Sequence, residues 1–231
     1  MMRLRGISPT GTVIKISQKE CYKTVSRRAE AVLVEKRSKF IATVIPADTE
    51  EKALSFLEEM RKTYSDATHN VYAYVIDENN IFRYSDDNEP SGTAGMPVLD
   101  TVRKAGIVDC AVVVTRYFGG TLLGTGGLVH AYGGAAREGL LAAGVIERRL
   151  CNIITVTVDY TTSGRVSHFL AEGGHIIENT VYDSDVTYFV CVTKKDTESF
   201  KAEITELTNG RAIMAENGTK YIDINLNERM D

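Results

Sequence analysis

Apolar residues in the first two thirds of the chain recur with two different periods, which predict a mixture of strands and helices. Short runs rich in Val, Ile and Tyr predict strands over residues 29–35, 40–46, 69–77, 81–84 and 108–115. Stretches in which apolar residues recur every three or four positions predict helices over residues 49–64, 93–105 and 126–143. The strand at 108–115 is apolar at nearly every position, so we expect it to be buried on both faces of its sheet.

A second pattern follows Gly144 and contains six further elements. It predicts strands over residues 153–160, 175–182 and 186–192, helices over 162–172 and 196–208, and a last strand over 212–214 or 220–224. We expect Thr162 or Ser163 to cap the first of these helices. The order β-α-β-β-α-β within about seventy residues is that of the ferredoxin-like unit.

These patterns predict an α+β protein of two domains. We place an N-terminal extension at residues 1–20, with a short strand at 12–16, and an N-terminal domain at 21–147. A ferredoxin-like domain follows at 148–215 and a C-terminal tail at 216–231. The boundary between the two domains is tight, because no Pro- or Ser-rich linker separates them.

The residues best suited to binding or catalysis lie in two neighbouring loops of the predicted N-terminal domain. The first, Asp86-Asp-Asn-Glu-Pro-Ser-Gly-Thr-Ala-Gly-Met-Pro97, places three carboxylates before a turn. They would bind a divalent cation, act in acid–base catalysis, or cap the next helix and pair with Arg83 or Arg116. His69, in the strand leading to this loop, is either a base or a hydrogen-bonded strand residue.

The second loop begins with Arg116, Tyr117 and Phe118 and is rich in glycine. Five glycines fall within nine positions: Gly119, Gly120, Gly124, Gly126 and Gly127. The free backbone amides of a glycine-led helix are suited to bind an anion, although the Lys-Ser/Thr of a Walker A loop is missing. The alternative is a tight connection with close backbone packing. Arg116 and its aromatic neighbours would contact phosphates and bases, or anchor the loop through a carboxylate.

Charge and cysteine content narrow the classes of function. The net charge is −4, but residues 1–40 hold ten Lys or Arg against three Asp or Glu, whereas residues 151–231 hold seven against thirteen. An acidic C-terminal third argues against phosphate binding there, and the basic N-terminal part is either a phosphate contact or a solvated arm.

Four widely spaced cysteines match no zinc motif and predict reduced thiols. No apolar run is long enough for a membrane span or a signal peptide, so we expect a cytoplasmic protein.

Three motifs together resemble the signature of the IMPACT family, in its bacterial branch. They are the Asp86–Pro97 segment, Val113-Val-Thr-Arg-Tyr-Phe-Gly-Gly120 and Leu123-Gly-Thr-Gly-Gly-Leu-Val129. The resemblance implies an N-terminal domain with the fold of the second domain of the fifth small-subunit ribosomal protein. It also implies a C-terminal domain similar to ferredoxin-like domains of elongation factor G. The family is associated with translational regulation, and its eukaryotic members compete for the activator of an initiation-factor kinase by means of a further domain.

We therefore predict a translation-associated regulator that binds RNA or the ribosome, without catalytic residues, metal or cofactor. The alternatives are an enzyme or switch for a small phosphorylated ligand, and a protein-interaction regulator. The predicted binding residues are His69, Arg83, Asp86, Asp87, Glu89, Ser91, Gly92, Thr93, Arg116, Tyr117, Phe118, Gly119, Gly120, Gly124, Gly126 and Gly127.

Overall fold

The computed structural model describes residues 19–226, so the strand predicted at 12–16 lies outside the described residues. Within that range the chain forms two five-stranded antiparallel sheets and five α-helices. The strands are β1 (Cys21–Val25), β2 (Ala29–Glu35), β3 (Ser38–Pro46), β4 (His69–Ile76), β5 (Ile81–Ser85), β6 (Cys110–Tyr117), β7 (Val145–Val158), β8 (Ile176–Tyr182), β9 (Val186–Thr193) and β10 (Ile213–Asn225). The helices are α1 (Glu50–Thr63), α2 (Gly95–Lys104), α3 (Gly124–Ala143), α4 (Tyr160–Glu172) and α5 (Thr197–Leu207).

The first sheet has the order β2-β3-β6-β4-β5 and is covered on both faces. On one face Val112 and Val114 of β6 pack with residues of α2 and α3. On the other face Ala111 and Val113 pack with the apolar side of α1. The alternation of β6 therefore serves two cores, which confirms the expectation from its continuous apolar run.

The ends of three elements around the two loops differ from the prediction. Strand β6 continues to Tyr117, because Arg116 still pairs with Phe40 of β3 and with His69 of β4. Arg116 and Tyr117 are therefore strand residues and not loop residues. Helix α2 begins at Gly95 instead of residue 93, and α3 begins at Gly124 instead of residue 126.

The second sheet has the order β10-β7-β9-β8, and the short strand β1 also pairs with the start of β7. The predicted order β-α-β-β-α-β is present as β7-α4-β8-β9-α5-β10. Strand β7 runs without a break through the predicted boundary at 147/148. The two alternatives for the last strand are the two halves of β10, separated by an irregularity between Glu216 and Thr219. Residues 216–225 thus belong to a strand and not to a tail.

Within residues 19–226, no helix combines sufficient length with sufficient apolarity to cross a bilayer.

Helix α4 is capped by Asp159 and not by Thr162 or Ser163. The Asp159 carboxylate accepts hydrogen bonds from the Thr161 hydroxyl at 2.5 Å and from the Thr162 amide at 2.8 Å. Aspartate is one of the preferred N-cap residues. The helix was predicted to begin at residue 162, so Asp159 lay too far upstream to be recognised as its cap.

The hydrogen bond from Thr161, followed by that from Thr162, lowers the pKa of Asp159 to about 2. A lowered pKa stabilises the folded state above the unfolded pKa of about 3.9, and this contribution is lost as the pH falls towards the folded value. We expect Asp159→Asn, which keeps the cap but not the charge, to be less stable than wild type at pH 6. The difference should shrink between about pH 4 and pH 2 in urea unfolding series. A difference that does not change with pH would contradict this origin.

Candidate functional site

Arg116 and Glu89 form a buried ion pair beneath the two loops. Arg116 Nη1 donates to Glu89 Oε1 at 2.5 Å, and the two side chains retain only 6% and 4% of their exposure. The guanidinium carbon lies 5.4 Å from the ring centre of Phe40 and 5.5 Å from that of Phe118. Cations placed near aromatic rings are attracted by the ring quadrupole, so these rings hold Arg116 in place. Arg116 is therefore an anchor for both loops.

Tyr132 of α3 completes this buried cluster. Its hydroxyl donates to Glu89 Oε1 at 2.8 Å. Burial, followed by the charge of Glu89, raises the pKa of Tyr132, so the hydroxyl keeps its proton and remains a donor. Arg116 Nη2 donates a longer bond of 3.4 Å to Ser38 Oγ, and its Nε has no partner in the described part of the chain. The cluster ties α3, β6 and the acidic loop together.

Asp86 and Asp87 are engaged by the backbone of the acidic loop. Asp86 accepts from the amides of Gly92, Ala94 and Gly95 at 2.8, 3.1 and 2.8 Å, which ties the loop to the start of α2. Asp87 accepts from the amide of Asn70 at 2.6 Å. These contacts match the interpretation of the carboxylates as turn and capping groups.

The three carboxylates do not converge on one point. Glu89 is used by Arg116 and Tyr132, while the other two bind separate backbone amides. Within residues 19–226, no group of three or more His, Cys, Asp or Glu side chains is arranged to hold a metal ion. The geometry therefore gives no support to a shared Mg²⁺ site on these residues.

His69 is oriented by the acidic loop. Its Nδ1 lies 2.8 Å from the carbonyl oxygen of Asp87, and since a carbonyl only accepts, Nδ1 carries the proton. The other ring nitrogen, Nε2, lies 3.6 Å from Glu89 Oε1. The acidic loop thus contacts both nitrogens of the His69 ring.

The remaining residues of the first loop have separate positions. Thr93 is buried and donates to the Pro90 carbonyl at 2.6 Å. Ser91 and Gly92 are exposed, and Gly92 has a φ of +75°. Arg83 is exposed on β5 and donates to the Phe82 carbonyl, and Tyr117 donates to Asp66 at 2.9 Å. Neither Arg83 nor Tyr117 joins the cluster around Glu89.

The glycine loop combines a close backbone approach with an open helix start. A Cβ on Gly119 would clash with the backbone of Arg37 and Ser38. Gly120 and Gly124 have φ values of +78° and +72°, which favour glycine. Leu123, the residue before α3, makes no side-chain hydrogen bond that caps the helix. A Cβ added at Gly126 would meet open space. Gly127 packs against Leu123. The close approach at Gly119 supports the interpretation as a tight connection, and the open helix start near Gly126 supports the interpretation as an anion site.

A cleft of about 470 Å³ lies between the two loops. Of the predicted site residues, it brings together His69, Glu89, Arg116, Phe118 and Gly124. Its other lining residues, which the sequence did not predict, are Thr68, Pro90, Leu122, Leu123, Thr125 and Leu128. Leu122 is 84% exposed, and a leucine placed among glycines of a surface loop was the available signal. The cleft has an apolar mouth above a buried polar floor.

The β2–β3 turn is a neighbour of the glycine loop that the sequence did not predict. Lys36 and Arg37 form this two-residue turn with φ values of +44° and +71°, as in a type I′ turn. Asn-Gly is the favoured pair for such a turn, so two basic residues there carry a backbone cost. Lys39 follows on β3, opposite Tyr117. Within residues 19–226, these three cations make no ion pair.

Fold and site define a two-domain α+β protein whose N-terminal sheet carries a glycine-rich loop beside an acidic one. A model of the Impact N-terminal domain matches residues 36–140, and a model of a domain of unknown function, DUF1949, matches residues 156–211. IMPACT family member YvyE of Bacillus subtilis (strain 168) is 40% identical over 203 residues, covering 87% of this chain and 94% of that protein. The chain belongs to the IMPACT family.

Two further proteins share this similarity over most of their length. IMPACT family member YigZ of Escherichia coli (strain K12) is 33% identical over 178 residues, which cover 76% of this chain and 87% of that protein. A crystal structure described as that of a hypothetical protein matches with a TM-score of 0.54 and 29% identity. It covers 87% of this chain and 99% of its own.

Proposed function

We propose that this protein is a translation-associated regulator that binds RNA or the ribosome in the cytoplasm. The binding surface, which we call the turn–loop surface, comprises Lys36, Arg37, Lys39 and residues 118–127. The observation that carries the proposal is the contact of the basic turn with the glycine loop, where Gly119 lies against Arg37. Membership of the IMPACT family supports the link to translation.

Two kinds of contact on the turn–loop surface suit RNA. Lys36, Arg37 and Lys39 are exposed cations, and the uncapped start of α3 adds free amides, so both can face phosphates. Phe118 is 45% exposed and can stack on an unpaired base. Of the two roles predicted for Arg116, its ion pair with Glu89 supports the anchoring role. Its contribution is to hold Phe118 and the loop in place.

The test is binding to single-stranded RNA and co-sedimentation with ribosomes across a salt series. The variant Lys36→Asn/Arg37→Gly removes two charges and installs the favoured pair for a type I′ turn, so the hairpin should fold at least as well. Weaker binding is expected, with a salt slope smaller by about 1 to 2, because two fewer counterions are released.

The matched control is Lys62→Asn/Lys104→Asn, which removes two exposed charges at the ends of α1 and α2. It should bind with an unchanged salt slope. A turn variant that behaves like this control would contradict the proposed surface. Phe118→Leu, which keeps apolar cover over Arg116, should weaken binding without changing the slope.

The cleft favours a second candidate function, in which a small phosphorylated ligand is bound and turned over or used as a switch. His69 on its floor and the open start of α3 at its rim would face such a ligand. Nucleotides or inorganic phosphate that raise the melting temperature would favour this function over RNA binding. A requirement for Mg²⁺ would mean that the ligand brings the metal, since Asp86, Asp87 and Glu89 are otherwise engaged. Absence of both effects would favour the protein-interaction regulator.

We also propose the finer fold relationships that the family resemblance implies. The strand order β10-β7-β9-β8, with α4 and α5 contributing to one core, supports a ferredoxin-like C-terminal domain. For the N-terminal domain, the sheet β2-β3-β6-β4-β5 with α2 and α3 on one face supports a fold like that of the second domain of the fifth small-subunit ribosomal protein. Superposition of solved structures of each kind is the check.

A further inference from the structure

A further concave surface, of about 670 Å³, lies where α2 and α3 end beside the start of β7. It is larger than the cleft between the two loops and falls within the range typical of small-molecule sites, about 300–1,000 Å³. A surface of this size can hold one small ligand. We call it the aliphatic groove, after its apolar lining residues Ala105, Ile107, Leu140, Leu141, Val145 and Leu226.

The walls of the aliphatic groove consist almost entirely of hydrocarbon. Ile107 and Leu140 lie buried beneath it, whereas Leu141 is 42% exposed at its edge. Thr101 is the one hydroxyl-bearing residue in its described lining, and that hydroxyl already donates to the Pro97 carbonyl at 2.8 Å. The described lining thus leaves no uncharged side-chain donor free, so the enclosed part of a ligand would be a plain aliphatic chain.

Three cations border the aliphatic groove. Lys23, Lys104 and Arg137 are exposed and belong to its lining. Within residues 19–226 they form no ion pair, and no Asp or Glu of that range lines the groove. Lys104 lies in the last turn of α2, where the helix dipole favours a cation in any case, but Arg137 lies well inside α3 and Lys23 on a strand. The border is therefore complementary to an anion.

The fold itself brings these cations together. Helices α2 and α3 touch where Thr101 Oγ1 lies 3.5 Å from the carbonyl oxygen of Gly133. Lys104 follows three residues after this contact on α2, and Arg137 follows four residues after it on α3, so each lies about one turn beyond it. Strand β1 brings Lys23 to the same place through a bridge to the segment that follows α2.

The ends of α2 and α3 favour a carboxylate over a phosphate as the anion. Both helices reach the groove with their C-terminal ends, whose carbonyl groups carry partial negative charge. Phosphate sites commonly use the free amides of a helix N-terminus, and neither helix presents that end here. A singly charged carboxylate is repelled less by these carbonyl groups than a phosphate monoester with about 1.5 to 2 charges.

We propose that the aliphatic groove binds one fatty acid, with its alkyl chain along the apolar walls and its carboxylate at Lys23, Lys104 and Arg137. Lysine and arginine lay their aliphatic stems on apolar surface and keep the charge in water, so these residues would both cover the chain and meet its head. Gly124 and Arg137 lie roughly 20 Å apart along α3, at 1.5 Å per residue. The site is thus separate from the turn–loop surface, and the proposal does not rest on RNA binding.

The first test is isothermal titration calorimetry of the full chain with decanoate below its micellar concentration. We expect one site per chain, and octanoate should bind roughly tenfold more weakly because two buried methylene groups are lost. Decyltrimethylammonium, which has the same chain and a cationic head, should bind roughly tenfold more weakly or worse. Equal binding of the two would overturn the proposal, and so would tighter binding of decyl phosphate than of decanoate. Absence of decanoate binding would also overturn it and leave the groove to a peptide segment.

The second test removes charge from the border of the groove. Lys104→Gln/Arg137→Gln should weaken decanoate binding roughly three- to tenfold, because two exposed ion pairs with the carboxylate are lost. The matched control is Lys62→Gln/Arg165→Gln, which removes one exposed lysine from α1 and one exposed arginine from α4. It should bind decanoate like the wild type. Equal weakening by both variants would mean that net charge alone attracts the anion, and the site would be wrong.

The third test changes the wall of the groove. Leu141→Glu places a carboxylate beside the alkyl chain, so decanoate binding should fall below detection, and because Leu141 is partly exposed the protein should still fold. Leu54→Glu is the matched control, since Leu54 is 49% exposed on α1 and lies outside the groove. It should leave binding unchanged. Decanoate binding that survives Leu141→Glu, or that is lost equally in both variants, would overturn the proposed site.

Discussion

Glu89→Ala is expected to lower the free energy of unfolding by about 3–5 kcal/mol, since it leaves a buried guanidinium without its counter-ion. Arg116 is only 5% exposed, and its Nε already lacks a partner among the described residues. The same substitution removes the acceptor of the buried Tyr132 hydroxyl. Both effects act on one cluster, so they should appear together in a urea unfolding curve monitored by circular dichroism.

Two control variants separate charge burial from other causes. Glu89→Gln keeps an acceptor oxygen for both partners and should cost less, about 1–2 kcal/mol. Glu59→Ala breaks the Arg28–Glu59 pair, whose side chains are both 50% exposed, and should cost less than about 1 kcal/mol. If Glu89→Ala lowered the free energy of unfolding by as little as Glu59→Ala, Arg116 would have to be solvated by water that enters the cleft. The cluster would then not be an anchor.

The burial of the Arg116–Glu89 pair also determines which variant can test RNA binding. Arg116→Ala would leave Glu89 buried without its cation, so loss of binding in that variant would report loss of structure as well as loss of contact. The turn variant Lys36→Asn/Arg37→Gly avoids this problem, because neither side chain is buried. Arg116 is therefore a residue for stability experiments, and Arg37 is a residue for binding experiments.

The sequence predicted the first sheet well because its signals are local. The apolar run of β6 and the helical spacing of α1 each follow from a few adjacent residues. The position of the Arg116 side chain could not be predicted. It depends on Phe40, Glu89 and Tyr132, which lie far apart in the chain. The pairing of Arg116 with a carboxylate was one of two predicted alternatives, and no local pattern distinguished between them.

Elements that depend on distant partners were also missed. Strand β1 is a short, mostly polar segment, and it is a strand because it pairs with residues 145–149 of β7. The basic turn at Lys36 lies about eighty residues from the glycine loop, and only the β3–β6 pairing brings them together. Long-range pairing of this kind leaves little trace in the local pattern of either segment.

Gly119→Ala should destabilise the protein by about 3 kcal/mol, because an added Cβ has no room there. It would lie well within 3.0 Å of backbone atoms of Arg37 and Ser38, and backbone cannot move aside as a flexible side chain can. The Gly119 amide also donates to Ser38 Oγ at 3.2 Å, so any shift would weaken the support of Arg116 by Ser38. Thermal and urea unfolding measure the effect.

Gly126→Ala is the matched control within the same loop, and the opposite sign is expected. Gly126 lies in the first turn of α3, has open space around its Cβ position and does not have a positive φ. Alanine there should stabilise the protein by about 0.5–1 kcal/mol, because it restricts the unfolded chain and favours the helix. Opposite signs at the two positions would mean that Gly119 is required for the contact with the basic turn, whereas Gly126 is not required for folding. If Gly126→Ala were as damaging as Gly119→Ala, the close-approach explanation would fail, since no neighbouring atom could account for the loss.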